Sequence, residues 1–108
     1  EALFQGRGCS VLLRPDQELE LSPMEGNVLV KLLPQGELLP ALRRQKGRLQ
    51  TAGLLCPPEQ REALTELLAR AGVTRVTRAE SMSASFPGEA HDGEYPLRRY
   101  VRVVDVER

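Results

Sequence analysis

The stretch that most constrains this chain is residues 49–77, LQTAGLLCPPEQREALTELLARAGVTRVT. It opens with an apolar run without charge over 49–55, the pattern of a strand covered on both faces. Pro57 and Pro58 stop that run. Pro58 suits the first position of a helix, where a missing N–H costs nothing. Glu59 and Glu62 then lie near the positive end of the helix dipole. Ala63, Leu64, Leu67, Leu68 and Ala71 recur at helical spacing and form one apolar stripe, which predicts a helix over 58–71. Gly72 comes next as a left-handed C-cap, with Val73 closing back onto Leu68. The β-branched run over 73–77 suits the next strand. A strand, a crossover helix and a second strand imply a parallel, right-handed βαβ unit.

The chain before this stretch repeats the alternation. Residues 9–13 form a short strand candidate that ends in the turn signal Arg14-Pro15-Asp16. Residues 18–21 alternate polar and apolar until Ser22-Pro23 stops them. NVLVKLL, over 27–33, is a strong strand pattern broken by Pro34-Gln35-Gly36. A helix is expected over 37–46, with Leu38, Leu39 and Leu42 facing inward and Pro40 tolerated within the first turn. Arg43, Arg44 and Lys46 sit at its negative end, and Gly47 closes it. The middle of the chain therefore reads β-α-β-α-β. The expectation is an α/β fold in which 27–33, 49–55 and 74–77 form a parallel sheet. At the N-terminus, EALFQG resembles a picornaviral 3C-protease recognition site of the kind used in expression tags. Residues 1–7 are accordingly read as a possible tag or linker remnant. Cleavage after Gln5 would remove the residues before it, so a native origin stays open.

After Arg78 the character changes. Residues 80–95, ESMSASFPGEAHDGEY, carry no hydrophobic period, and a loop of about sixteen residues is long for a compact domain; such loops often carry function. Pro96 opens a last element in which a helix through Leu97, Tyr100, Val101 and Val104 competes with a strand through Val101, Val103, Val104 and Val106. A helical turn or two from Pro96, becoming extended near Val103, is expected.

Composition bounds the function. With 108 residues the chain has the size of one domain, and its fifteen basic and fifteen acidic residues balance. A neutral chain with two Phe, two Tyr and no Trp has no electrostatic footprint for nucleic acid. No apolar run reaches the ~20 residues of a membrane span. No signal peptide is visible, so a cytoplasmic setting is expected. In such a setting Cys9 and Cys56 are expected as free thiols.

Three groups offer chemistry. His91, the single histidine, stands in Ala90-His91-Asp92-Gly93, where His beside Asp suits proton transfer or ligand positioning. The same residues equally spell an Asp-Gly turn preceded by a solvated histidine. Cys56 lies between a strand end and a helix N-terminus, where the dipole can lower a thiol's pKa, yet it has no second histidine and no CxxC partner. Arg98, Arg99 and Arg102 suit either a phosphate or a solvated face. No glycine-rich phosphate loop and no metal-ligand spacing is present.

The order GCSVLLRP, SPMEGNVLVKLLP, RLQTAGLL, LLARAGVTRVT and AHDGEYPLRRYVRVVDVE resembles the C-terminal end of bacterial bioluminescence (Lux)-type acyl-CoA reductases, of the aldehyde dehydrogenase superfamily. It extends over nearly all of the chain from about Gly8, so residues 8–108 would be the C-terminal part of a catalytic domain. The resemblance implies a parent enzyme that takes an acyl group from acyl-CoA onto a cysteine and reduces it with NADPH to a fatty aldehyde. It makes 27–33 the strand after the family's glutamate-phenylalanine-glycine-proline motif. It also brings the 81–95 loop, with Phe86, His91, Asp92 and Gly93, close to the active site. It places 98–106 near an oligomer contact.

The departures matter. The family's nucleophilic cysteine lies upstream, and neither Cys9 nor Cys56 sits in its motif. The cofactor-binding glutamate of many aldehyde dehydrogenases falls at Pro23, and only Gly26 of that motif survives. The resemblance thus implies a fragment of a longer enzyme that binds no cofactor by itself. Its uncovered sheet edges and apolar faces are expected to make it a homo-oligomer. The rival reading is a stand-alone α/β interaction module that pairs through an exposed sheet edge.

Overall fold

The computed structural model describes residues 1–107, with the side chain of Arg99 outside the described residues. The fold is mixed α/β. Its elements are β1 (Ala2–Gly6), β2 (Cys9–Arg14), β3 (Asn27–Lys31), α1 (Gln35–Arg43), β4 (Thr51–Leu54), α2 (Pro58–Ala71) and β5 (Arg75–Arg78), and then short 3₁₀ turns at Ala79–Ser81 and Pro96–Tyr100. The chain divides into two compact units, Glu1–Arg48 and Leu49–Arg108.

In the first unit the strand order is β1-β2-β3. The segment read as a possible tag remnant contains β1, which pairs antiparallel with β2 from Ala2↔Leu13 to Gly6↔Cys9. The connecting turn uses Gly8 at φ +75°, a conformation that favours glycine. Strand β2 then runs parallel to β3, with Leu12 opposite Leu29. The element order β-α-β-α-β is as expected, but β3 takes its parallel partner from β2, and β4 pairs with β5 in a separate sheet.

A parallel pair needs a crossover, usually a helix. Here residues 15–26 make it without one, and a charge cluster holds them. Lys31 Nζ bonds the Asp16 carboxylate, donates to the Glu18 carbonyl at 2.6 Å and lies 2.9 Å from Glu20 Oε1. Arg14 joins from the neighbouring strand, 3.1 Å from Asp16 and 3.3 Å from Glu20. The crossover returns through three successive left-handed residues, Met24 (φ 67°), Glu25 (51°) and Gly26 (82°). Gly26 is required twice over: its φ is positive, and a Cβ there would stand 2.7 Å from the Gly8 carbonyl oxygen. Asn27 fastens the turn, with its side-chain amide donating to the Met24 carbonyl at 2.6 Å and its Oδ1 accepting from Ser10 at 2.5 Å.

Helix α1 starts two residues earlier and ends three residues earlier than expected, because Pro34 presets the entry and 3₁₀-like turns replace the last turn. Pro40 consequently lies inside the helix rather than in its first turn. The turns run from Gln45 N–H to the Leu42 carbonyl and from Lys46 N–H to that of Arg43, at 2.9 and 3.2 Å.

In the second unit α2 spans Pro58–Ala71, as the caps predict. Gly72 adopts φ 104°, its N–H bonds the Ala69 carbonyl at 3.0 Å, and Val73 N–H reaches the Leu68 carbonyl at 3.0 Å. This paired closure satisfies carbonyls that the helix end leaves open. The apolar stripe is narrower than expected: Ala63 is exposed, Leu64 and Leu67 are half-buried, and Leu68 and Ala71 are the buried residues of the described chain. Burying Leu68 contributes roughly 1.5–3 kcal/mol. Strands β4 and β5 pair parallel from Thr51↔Arg75 to Leu54↔Arg78. Strand β4 is half-buried along its length, and Leu55, expected inside it, is 91% exposed. Among the described residues no helix is long and apolar enough to cross a membrane.

Two consequences can be measured. The Asp16 carboxyl is held below its ordinary value of 3.8, first by the hydrogen bond from Lys31. Burial opposes the charge on Lys31, but its bonds to Asp16 and Glu20 outweigh that and hold it above 10.5. A depressed carboxyl adds stability that is lost as pH falls through its folded pKa, and a raised lysine adds stability that is lost as pH rises through its own. Lys31→Met should therefore lower the melting temperature by a near-constant amount between about pH 5 and 9. Its difference from the native protein should shrink only below about 3.8 and above about 10.5. A difference that varies steeply across neutral pH would contradict the assignment. The second consequence concerns Gly53, where an added Cβ would overlap Met82 Sδ and stand 2.9 Å from Ala79 Cα. Gly53→Ala should cost about 1–3 kcal/mol in denaturant unfolding, because backbone cannot move aside as the methionine can.

Candidate functional site

The site is built at the amino ends of β4 and β5. Gln50, just before β4, has a carbonyl that accepts from Thr74 N–H (3.1 Å), Arg75 N–H (3.0 Å) and Thr74 Oγ1 (3.1 Å). This convergence sets where the two strands begin. The loop after β5 returns to the same end and makes one wall of a shallow cavity of about 150 Å³. Gln50, Thr74, Arg75, Ser83, Glu89 and His91 are among its lining residues. That volume is well below the roughly 300–1,000 Å³ of pockets that enclose drug-sized ligands.

His91 and Glu94 exchange backbone hydrogen bonds at 2.9 and 3.0 Å, closing a two-residue turn over Asp92 and Gly93. Both turn residues have positive φ, 51° and 83°, as a type I′ turn requires, and Asp-Gly is a favoured pair for it. The Asp-Gly turn reading of the sequence is thus the local structure. The imidazole is 78% exposed, with Nε2 3.4 Å from Asp92 Oδ2. The other carboxylate oxygen of Asp92 accepts from Gln50 Nε2. Gln50 therefore orients Asp92, and Asp92 faces His91. The row places a carboxylate beside an exposed imidazole.

Arg75 is the residue that sequence reasoning missed. Its Nη1 donates to the Met82 carbonyl at 2.9 Å, its Nη2 to the carbonyls of Ser81 at 3.4 Å and Ala84, and its Nε lies 3.7 Å from Glu89. Its position in the middle of the β-branched run over 73–77 was the only available signal. Phe86 is 66% exposed on the same loop.

The remaining candidates lie elsewhere. Cys56 comes after the carboxyl end of β4, so a strand length of roughly 10 Å separates it from the end that carries His91. Cys9 belongs to the first unit, and both thiols are free. Arg98 lies over the Tyr95 ring at 5.5 Å, and Arg102 is exposed; the side chain of Arg99 lies outside the described residues. No group of three His, Cys, Asp or Glu that could hold a metal exists among the described residues. A 3₁₀ turn from Pro96 gives way to extended backbone as expected, but at Val101, two residues before Val103.

The family model for acyl-CoA reductase (LuxC) matches residues 3–103. The chain belongs to the LuxC acyl-CoA reductase family. Comparison with curated proteins and with solved structures gives no match. The LuxC match begins within β1 and ends beyond the last 3₁₀ turn, so it takes in both units. Reduction by a LuxC enzyme implies a nicotinamide cofactor in general. Neither helix start fits the pyrophosphate of such a group. Pro58 offers no N–H at the start of α2, and Glu59 adds negative charge beside it. Helix α1 likewise starts after Pro34 and carries Glu37 in its first turn.

His91→Ala should leave the melting temperature of this chain within about 2 °C, because the exposed ring supports no packing. Gly93→Ala should lower it by more, since φ is positive there and a Cβ would meet Thr74 Cγ2 at 3.2 Å. Thermal melts of the two variants side by side check the order. A larger loss for His91→Ala would make the imidazole, rather than the glycine turn, the structural element.

Proposed function

We propose that this chain is the C-terminal part of an NADPH-dependent acyl-CoA reductase that converts fatty acyl-CoA to fatty aldehyde, and that it is inactive alone. The observation that carries the reading is the LuxC family match over residues 3–103. Surface character supports it. Leu3, Phe4, Val28, Leu32, Leu55 and Leu97 are each more than half exposed, whereas Leu68 and Ala71 are the buried hydrophobic residues described. Apolar surface on that scale favours burial against further protein. The missing N-terminal part of the enzyme and a second copy of it are the partners this reading supplies.

In this reading the nucleophilic cysteine and the cofactor site lie upstream. The 81–95 loop lends Phe86, His91, Asp92 and Gly93 to the wall of the active site. The high exposure of Phe86 and His91 supports that role, because both side chains remain available to neighbouring protein or substrate. His91 would hold or move a proton, oriented by Asp92 and Gln50. Cys56 has no such orienting partner and serves packing.

The test is to compare this chain with the protein extended upstream along its reading frame. With acyl-CoA and NADPH, the chain should show no acyl-CoA-dependent cofactor oxidation, and the longer protein should turn over. Light scattering should give a dimer or larger assembly. In the longer protein His91→Ala should reduce activity by roughly 10²-fold or more with little change in melting temperature. Cys56→Ser should stay within a few-fold, far from the ~10⁴-fold loss of a covalent nucleophile. Turnover by the chain alone would overturn the proposal. An extended protein lacking a cysteine motif and a nucleotide-binding domain would favour a stand-alone interaction module.

A further inference from the structure

We propose that residues 79–94 form a strap fastened at two separate points, with Arg75 as the clasp of its middle and Gln50 as the clasp of its far end, so that the middle can open while the end stays closed.

Beyond Met82, which packs against Gly53, the middle of the strap has little to hold it apart from Arg75. Its own backbone bonds are short-range: Met82 N–H to the Ala79 carbonyl at 3.5 Å, Ala84 N–H to Ser81 at 3.0 Å and Glu89 N–H to Phe86 at 3.3 Å. Ser83, Ala84, Ser85, Phe86, Pro87 and Gly88 are all exposed, so apolar burial contributes little. One guanidinium reaches the carbonyls of Ser81, Met82 and Ala84 and pairs with Glu89. A planar fork of five N–H donors can address acceptors in several fixed directions, which a lysine ammonium on a flexible stem cannot reproduce. Arg75 is itself placed rigidly, because it opens β5 and its N–H is bonded to Gln50.

The far end is fastened differently. Gln50 Nε2 donates to Asp92, and Gly93 sits close to Thr74, where a Cβ would come within 3.2 Å of Thr74 Cγ2. The His91–Glu94 backbone pair closes this turn without help from Arg75. The two clasps thus share no hydrogen-bond acceptor. Opening the Arg75 clasp removes one wall of the 150 Å³ cavity and leaves the His91 turn in place. Arg75 is a positioning residue, and it acts on the strap rather than on the imidazole.

Amide hydrogen exchange on the full 108-residue chain separates the two clasps. Arg75→Lys should speed exchange at Ala84 and Glu89 by about tenfold or more, while Glu94 and the amides of α2 stay within about twofold. Gln50→Ala should do the reverse, releasing His91 and Glu94 and sparing Ala84. Glu89→Gln, which keeps the fold and weakens one contact, should give a smaller rise confined to the middle. Unchanged exchange at Ala84 and Glu89 in Arg75→Lys would overturn the proposal. So would an equal rise across the strap and α2, which would make Arg75 a general support of the unit. If Arg75→Lys fails to fold, a Glu89→Gln variant without local release overturns it as well.

Discussion

The second unit hangs on the left-handed turn at Gly72. With φ at 104°, this residue lets two successive N–H groups fold back onto the carbonyls of Ala69 and Leu68. The chain leaves the helix in the direction that brings Thr74 and Arg75 to the Gln50 carbonyl, and the parallel register of β4 and β5 begins there. A side chain at Gly72 would have to adopt a backbone conformation that L-residues disfavour by roughly 1–2 kcal/mol. Everything downstream inherits this placement, because the loop is gathered by residues that the turn positions. Leu68 and Ala71 are buried on the last turns of the same helix, so the cap and the core occupy one place.

The first unit solves a different problem with charge. Its parallel β2–β3 pair has an irregular crossover where a helix is usual. Lys31, Arg14, Asp16 and Glu20 hold that segment through crossed ion pairs and a carbonyl contact. Exposed pairs taken singly contribute little, but a network shares the cost of ordering its side chains. Gly26 fits this account. The family resemblance singles it out, and the structure provides a local reason in the close approach of the Gly8 carbonyl.

The geometry also separates the one cysteine and the one histidine of the second unit. Open α/β sheets usually bind ligands outside the carboxyl ends of their strands. Cys56 is at that end, and His91 is at the opposite end. The thiol and the imidazole therefore do not form a nucleophile–base pair. The family match takes in both ends of this sheet.

Local rules were enough to read some of this from the sequence. Pro58, the two glutamates after it, the leucine period and Gly72 specify α2 from its first residue to its last, because caps and periodicity act within a few residues. Asp92-Gly93 specifies the turn that carries His91, because few residue pairs tolerate two positive φ values in succession. The α/β class comes from the same alternation of elements. Partner choice was not legible: β3 pairs with β2 rather than with β4, and a strand's own residues do not name its neighbour. The part played by Arg75 was equally hidden, since it gathers carbonyls whose positions exist only once the loop has folded back on the strands. The helix, its caps and the Asp-Gly turn are short-range matters of backbone preference, and the order of residues is sufficient to write them. The strand pairing, the Lys31 cluster and the Arg75 clasp arise only on folding, because each needs groups that are separated along the chain to come within hydrogen-bonding distance.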